Sequence, residues 1–147
     1  MLNMRQGNYI YIGSGSSRNV FDLGNGYVMK VAKNIAGIAQ NKSEYRISLI
    51  DSSNLFADVI RVSKGFDILV MRKAYRIKNF SDILDYYKVR SQEELFSLEK
   101  FRDIQYKYNL LSGDLSRVSS WGIINGRPII IDYGFTREVR EKYYRFF

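Results

Sequence analysis

The sequence predicts an α+β protein, in which an antiparallel sheet with one inserted helix is followed by helices and a closing β-hairpin. Three observations support this class. Short apolar segments alternate with small-residue turns in the first half of the chain, which is typical of antiparallel strands. Apolar residues recur at helical spacing across residues 95–111. Asn125-Gly126 stands between two apolar segments and tolerates the positive φ angles of a two-residue hairpin turn.

The first half of the chain is predicted to form the sheet. Strands are expected at residues 9–12, 20–21, 27–32, 56–62 and 66–71. Turns of small residues join them at residues 13–19, 24–26 and 63–65. Alternation along the third strand places Lys30 on the same face as Val28 and Ala32. A basic connector at residues 71–74 then leads into the helical half.

Three helices are predicted ahead of the hairpin. The helix inserted in the sheet covers residues 35–50, and its core face is expected to carry Ile35, Ile38, Tyr45 and Leu49. Ser81 is expected to cap a short helix over residues 81–89. Ser91 and Glu94 form a capping-box pattern. It opens a long helix that continues to residues 113–114, with apolar positions at Leu95, Leu98, Phe101, Ile104, Tyr108 and Leu111.

Composition limits the chemistry. The chain has 147 residues, no Cys and no His, so thiol nucleophiles, disulfides, imidazole bases and the usual zinc ligands are excluded. One domain over residues 1–147 is expected, and the absence of Cys favours a cytoplasmic location. The net charge of +8 favours an anionic partner, although scattered basic residues are equally explained by solubility. No apolar run has the length of a membrane span.

Two aspartates flank the predicted hairpin. The two strands on either side of Asn125-Gly126 carry Asp132 back toward Asp114, so both carboxylates are expected to line one cleft. Lys30 lies in an apolar strand, and a buried lysine needs a partner. Glu44, on the inserted helix, is the predicted partner; an edge-strand lysine that limits aggregation is the alternative.

Five elements in this order resemble the protein-kinase-like superfamily. They are Gly13-x-Gly15 in a loop between strands, Lys30 in a strand, Glu44 in a helix, Gly113-Asp114-Leu115, and Asp132-Tyr133-Gly134. Gly-Asp-Leu is similar to the catalytic loop of small-molecule phosphotransferases, and Asp-Tyr-Gly resembles the metal-binding D-F-G motif. The resemblance implies a kinase-like N-lobe over about residues 1–73 and a reduced helical C-lobe over residues 74–147.

The resemblance also implies ATP and Mg²⁺ as cofactors and a phosphotransferase activity. The implied catalytic residues are Asp114, Lys30 and Glu44. The implied nucleotide-binding residues are Gly13, Ser14, Gly15, Lys30, Met71 and Lys73. Asp132 is the implied metal ligand, with Ser119 or Ser120 standing where the family has an asparagine. A plain turn is the alternative for the glycine loop, and Arg117 is a further candidate for holding an acceptor or a phosphate.

Departures from the family pattern suggest a second function. The third glycine of the loop is absent and Arg18 stands near its place; the metal-binding asparagine is replaced; and the chain ends soon after Gly134. These features favour a pseudokinase that binds a protein partner, or a second copy, over the reduced C-lobe. Short proteins of this kind resemble kinase-like proteins of bacteriophages and mobile elements. A nucleic-acid binder is the third alternative, supported by the net charge and the abundant aromatic residues but by no basic-aromatic cluster on one predicted face.

Residues 137–147 carry aromatic side chains among alternating charges. This pattern predicts a helix that docks on a partner, with a helix that packs on its own chain as the alternative.

Overall fold

The computed structural model describes residues 10–144. Its strands are β1 (Ile10–Ser14), β2 (Arg18–Asp22), β3 (Tyr27–Ala32), β4 (Val59–Val62), β5 (Ile68–Arg72), β6 (Tyr75–Arg76), β7 (Trp121–Ile124) and β8 (Arg127–Ile130). Its α-helices are α1 (Ile35–Ile50), α2 (Phe80–Tyr87), α3 (Gln92–Ser97), α4 (Glu99–Tyr108), α5 (Ser112–Leu115) and α6 (Arg137–Tyr143), and a 3₁₀ turn covers Val118–Ser120. The predictions for residue 9 and residues 145–147 fall outside the described residues.

The first five strands form one antiparallel sheet in the order β1-β2-β3-β5-β4. The central strand β3 pairs with both β2 and β5, and Lys30 lies opposite Val20 on one side and Leu69 on the other. Strands β4 and β5 are shorter than predicted. Phe56 instead forms an isolated parallel bridge to Ile130, and Phe66 lies in the turn with φ of 63°. The sheet therefore places Lys30 at its centre, on an inner strand.

Helix α1 has the predicted bounds, but the predicted core face is wrong. Ile35 and Leu49 are 67% and 68% exposed. The face that packs against the sheet carries mostly small and polar residues: Ala36, Gly37, Gln40, Asn41, Glu44 and Ile47. The polar side chains of the buried face have hydrogen-bond partners inside the protein. A pattern of apolar residues does not detect such pairing, so it predicted the wrong face.

The helical half differs from the prediction at two points. Helix α2 begins one residue early, and the residue at its N-cap is Asn79, which makes no side-chain cap hydrogen bond; the Ser81 cap is wrong. The predicted long helix breaks at Leu98, whose φ and ψ of −61° and 139° are extended, so α3 and α4 are separate helices. The start of α3 is as predicted, because the Glu94 N–H donates to Ser91 Oγ at 3.1 Å.

The hairpin β7–β8 turns at Asn125 and Gly126, with φ of 52° and 75°, as predicted. Together with β6 it forms a second, three-stranded sheet. Trp121 is 2% exposed, and its indole N–H donates to the Leu115 carbonyl at 2.7 Å. Buried residues of both halves form one continuous core. The α+β class, with an antiparallel sheet, one inserted helix and a helical second half, is therefore confirmed.

Helix α6 packs on α1 and buries Val139. Its N-cap is Thr136, whose hydroxyl accepts the Val139 N–H at 3.3 Å. The described part of residues 137–147 is thus a self-packing helix, the second of the two alternatives. Between residues 10 and 144, none of the helices combines the length and the apolar character that a membrane crossing requires.

Candidate active site

Glu44 is the centre of a buried charge cluster. Helix α1 presents it to the middle of β3, where Lys30 Nζ lies 3.0 Å from Glu44 Oε1 and 3.2 Å from Oε2. The structure thus brings together the two side chains that the sequence paired. Lys30 also donates to the Ile131 carbonyl at 2.6 Å. An ammonium group has three donors, so these contacts account for all of them.

Arg18 is the site residue that the sequence analysis missed. Its side chain, at the start of β2, makes a two-pronged contact with Glu44: Nη1 lies 2.8 Å from Oε1 and Nη2 lies 2.9 Å from Oε2. Nη1 also donates to Asn41 Oδ1 at 3.0 Å, and Nη2 to Asp132 Oδ1 at 3.1 Å. The sequence placed Arg18 only as a substitute for a loop glycine. The available signal was a basic residue two positions before the apolar pair Val20-Phe21.

Glu44 and Arg18 stabilise each other's charged forms. Burial alone would raise the pKa of Glu44, but the charges of Arg18 and Lys30 lower it to about 2. Burial also disfavours the charged form of Arg18, yet Glu44 and Asp132 outweigh it, and the pKa of Arg18 is raised. For Lys30, burial prevails and the nearby Arg18 adds to it, so its pKa is lowered despite the attraction of Glu44.

The segment Asp132-Tyr133-Gly134 is fixed to Glu44 through its backbone. The N–H groups of Tyr133 and Gly134 both donate to Glu44 Oε2 at 3.0 Å. The Tyr133 hydroxyl donates to the Ala57 carbonyl at 2.6 Å, and burial raises its pKa. Gly134 lies so close to the backbone of Gln40 that a Cβ atom at this position would overlap it. One carboxylate of α1 therefore orients Lys30, Arg18 and the segment that carries Asp132.

Asp114 occupies a more open position on α5. Its carboxylate contacts the guanidinium of Arg117, whose side chain is 63% exposed. Burial nevertheless raises the pKa of Asp114, and the charge of Asp132 contributes to the rise, while Arg117 opposes it. Ser120 links the two aspartate segments: its hydroxyl donates to the Asp114 carbonyl at 2.8 Å, and its own carbonyl accepts the Ile131 N–H at 2.8 Å.

A cavity of about 670 Å³ connects these groups. Its lining includes most of the residues that the sequence singled out: Gly13, Ser14, Gly15, Lys30, Met71, Asp114, Ser119 and Asp132. Arg18 and Arg117 line it as well. Three predicted residues do not. Glu44 is fully buried behind Lys30 and Arg18; Ser120 is buried with its hydroxyl engaged; and Lys73 Nζ instead lies 2.7 Å from Asp22 Oδ2.

The connector beside this cavity is shorter than predicted. Strand β5 continues through Arg72 and β6 begins at Tyr75, so only Lys73 and Ala74 join them. The Arg72 N–H donates to the Asp58 carbonyl and the Lys73 N–H to the Gly26 carbonyl, each at 2.9 Å. The N–H groups of Arg72 and Lys73 are thus already engaged, and Ala74 lines the cavity. Backbone contacts to a ligand would therefore come from Ala74 or from the carbonyl groups of the connector.

The acidic residues of the cavity suit a metal ion that arrives with a phosphate ligand. Within residues 10–144, no three acidic side chains converge as a cage for a bare ion. Asp132 is 45% exposed at its side chain, and only its Oδ1 is held by Arg18. Mg²⁺ is commonly bound by one or two carboxylates together with substrate phosphates. Asp132, with the exposed Ser119 nearby in the same cavity, fits that pattern.

Comparison with known proteins gives structural neighbours only. No protein-family model matches the sequence, and no curated protein matches it. The chain is similar to the aminoglycoside phosphotransferase APH(2'')-IIa in a ternary complex with streptomycin and ATP, with 18% identity and a TM-score of 0.49 over 86% of this chain and 65% of that one. It is similar to ADP-bound APH(2'')-Ib, with 18% identity, a TM-score of 0.47 and the same coverages.

A choline/ethanolamine kinase family protein from Mesorhizobium loti is also similar, with 13% identity and a TM-score of 0.47 over 91% of this chain and 61% of that one. The chain thus spans about two thirds of the length of these proteins or less. At these identities and TM-scores, the likenesses carry no conclusion about the activity or the substrate of this chain.

Proposed function

We propose that this chain is a kinase-like protein that binds ATP and transfers its γ-phosphate to a hydroxyl group. The observation that most supports this function is the pairing of Lys30 with Glu44 in the same cavity as Asp132 and Asp114. Phosphoryl transfer requires charge neutralisation and alignment more than covalent help from the protein. A cavity lined by the cationic groups of Lys30 and Arg18 and by the carboxylates of Asp132 and Asp114 can meet those two needs.

The phosphates would lie between Lys30 and the loop at residues 13–17. Small residues in this loop allow backbone N–H groups to approach phosphate oxygens closely. Lys30 already uses its three donors on Glu44 and Ile131, so a phosphate oxygen would replace one of these acceptors. Arg18 adds a second cation on the same side of the cavity. Together they would oppose the charge of a nucleotide triphosphate.

Asp132 would hold Mg²⁺, with Ser119 as a further oxygen ligand. When bound, the ion neutralises phosphate charge and increases the electrophilicity of the γ-phosphorus. The Asp132 carboxylate is oriented for this role by Arg18 and by the backbone contacts of the next two residues with Glu44.

Asp114 would accept the proton of the attacking hydroxyl. The oxygen of that hydroxyl forms the new bond to phosphorus, the bond between the γ-phosphorus and the bridging oxygen breaks, and the proton passes to the Asp114 carboxylate. Burial raises the pKa of Asp114, which brings its basicity closer to working pH and favours proton transfer. Arg117, in contact with the same carboxylate, would restrain its orientation.

A nucleotide-binding module without transfer activity is the second candidate. The observation that favours it is the 3.1 Å contact between Arg18 Nη2 and Asp132 Oδ1, which sets a fixed cation against the proposed metal ligand. Ser119, which stands where the family has its metal-binding asparagine, also favours a module without transfer activity. Such a module would act by binding another protein, with nucleotide as a stabiliser.

Thermal unfolding with and without Mg-ATP tests nucleotide binding. We expect Mg-ATP to raise Tm in the wild type, and we expect Lys30→Ala and Asp132→Asn to lose the rise. Lys64→Ala, which removes an exposed lysine from the β4–β5 turn, is the matched control and should retain it. No rise in the wild type would refute both candidates. A rise without consumption of ATP in the presence of hydroxyl acceptors would leave only the second.

A further inference from the structure

We propose that a second cavity beside Asp114 is the acceptor site and that it takes a hydroxyl compound bearing a phosphate or carboxylate group. This inference rests on the proposed function and extends it to the class of the acceptor. It is supported by three features of the described residues: the position of the cavity, the charge of its lining and the way its lining is held.

The second cavity has a volume of about 710 Å³ and lies among α4, α5 and α6. Asp114 and Phe135 line both this cavity and the nucleotide cavity, so the two spaces meet at the proposed base. A volume of this size is typical of sites for small molecules. A hydroxyl group entering from the second cavity would thus meet Asp114 where the two cavities join.

The lining of the second cavity carries three arginines: Arg102 from α4, and Arg137 and Arg140 from α6. Asp114 is the single acidic residue of the lining. Within residues 10–144, salt bridges form at Arg18, Lys30, Lys73 and Arg117, and none involves the three arginines of this cavity. The charge of Arg140 also acts on Asp114, lowering its pKa against the larger effect of burial.

The arginines stand on backbone that is fixed to α4. The Arg137 N–H donates to the Asn109 carbonyl at 2.9 Å, and Leu110 bridges to Thr136. Asn109 also donates through its side chain to Glu138, so the start of α6 is tied to the end of α4 at three points. Arg137 and Arg140 are three residues apart on one helix and share a face. Their guanidinium groups therefore project from a common surface beside Asp114.

These charges select the class of the acceptor. Arginine binds phosphate and carboxylate through paired N–H donors, which gives both energy and orientation. A cationic acceptor would meet like charges instead, whose repulsion acts against binding. An anionic group held by the arginines would leave the hydroxyl end of the same molecule at Asp114. Phosphate and carboxylate share this chemistry, so the test includes one compound of each kind.

Four hexoses of similar size provide the test: glucose 6-phosphate, glucuronate, glucose and glucosamine. Binding is measured by calorimetric titration in the presence of Mg²⁺ and a non-hydrolysable ATP analogue, so that the nucleotide cavity is closed to the sugars. We expect at least one of the two anions to bind about tenfold or more tightly than glucose and glucosamine, because loss of a charged hydrogen bond costs at least that factor. Which anion binds more tightly distinguishes a phosphate site from a carboxylate site.

The double variant Arg137→Ser/Arg140→Ser should abolish the preference for anions without changing the response of Tm to Mg-ATP. Arg46→Ser/Arg61→Ser is the matched control: it removes the same charge from exposed positions that line neither cavity and should keep the preference. Equal or undetectable binding of all four sugars at millimolar concentration overturns the inference, as does a preference that survives the double variant.

Failure of this inference can be told from failure of the proposed function. If Mg-ATP raises Tm through Lys30 but no sugar anion is preferred, only the acceptor class is wrong. If Mg-ATP has no effect and the anions still bind through Arg137 and Arg140, the proposed function fails and the anion site stands.

Discussion

Glu44 and Asp114 are two carboxylates of the candidate site, and their surroundings shift their pKa values in opposite directions. Glu44 is fully buried and accepts hydrogen bonds from Arg18, Lys30 and two backbone N–H groups, and its pKa falls to about 2. Asp114 is partly exposed and its carboxylate contacts the exposed side chain of Arg117. The pKa of Asp114 is raised, chiefly by burial.

The difference separates two roles. A carboxylate that is permanently ionised and surrounded by donors can fix the positions of cations and backbone, but it has no capacity left to take a proton. A carboxylate with a raised pKa and one exposed partner can exchange a proton with a ligand. We therefore expect Glu44 to hold the structure of the site and Asp114 to take part in proton transfer.

The largest expected effect is on transfer at Asp114. Asp114→Asn keeps the size of the side chain and removes the base, so the rate of ATP-dependent transfer should fall by about 10² to 10⁴. The rise of Tm with Mg-ATP should remain. A variant that transfers phosphate at the wild-type rate would end the assignment of Asp114 as the base.

Loss of the buried charge at Glu44 should chiefly affect stability. Glu44→Gln leaves Arg18 and Lys30 without their shared anion, and breaking a buried ion pair in this way costs about 3 to 5 kcal/mol. Urea denaturation measures this free energy of unfolding. Glu141→Gln, at an exposed position of α6, is the control and should change it by less than about 0.5 kcal/mol. A Glu44 variant as stable as this control would show that the cluster does not hold the fold.

Acid should weaken the wild type through the same group. The pKa of Glu44 is about 2 in the folded chain and 4.5 as its ordinary value, so the unfolded chain binds the proton more readily. The stabilisation by the ionised Glu44 is present above about pH 4.5 and is lost as the pH falls toward 2. The difference in unfolding free energy between wild type and Glu44→Gln should therefore shrink across that interval. A difference that is constant with pH would contradict this.

The smallest expected effect concerns Arg117, which opposes the rise in the pKa of Asp114. Because proton acceptance requires the ionised carboxylate, kcat/KM should fall as the pH decreases through the pKa of Asp114. Arg117→Ala should raise that pKa further and move the acid limb of the profile to higher pH. Arg90→Ala, an exposed arginine that lines neither cavity, should leave the limb unchanged. If the acid limb of the profile does not move in Arg117→Ala, Arg117 does not act on the pKa of Asp114.

The sequence predicted the parts of this molecule that depend on local chemistry. Asn125-Gly126 specified its hairpin because few dipeptides accept two positive φ angles. Ser91 specified the start of α3 through its cap. Lys30 and Glu44 were paired because a lysine among apolar residues needs an anion.

The missed features depend on tertiary contacts. The buried face of α1 is polar because Gln40, Asn41 and Glu44 find partners on other elements, whereas α4 buries Phe101, Ile104 and Tyr108 as its apolar spacing predicts. The break at Leu98 has no proline or glycine to mark it. Arg18 was missed because its anions, Glu44 and Asp132, are distant in sequence and meet it only in the folded chain.

A crystal structure of the protein with Mg²⁺ and a non-hydrolysable ATP analogue tests most directly whether nucleotide and metal ion bind in the cavity lined by Lys30, Asp132 and Asp114. We expect triphosphate density between the loop at residues 13–17 and Lys30, the metal ion on Asp132, and the γ-phosphate directed toward Asp114. Triphosphate bound instead among Arg102, Arg137 and Arg140, or a nucleotide that leaves Lys30 and Asp132 without ligand contacts, would contradict it.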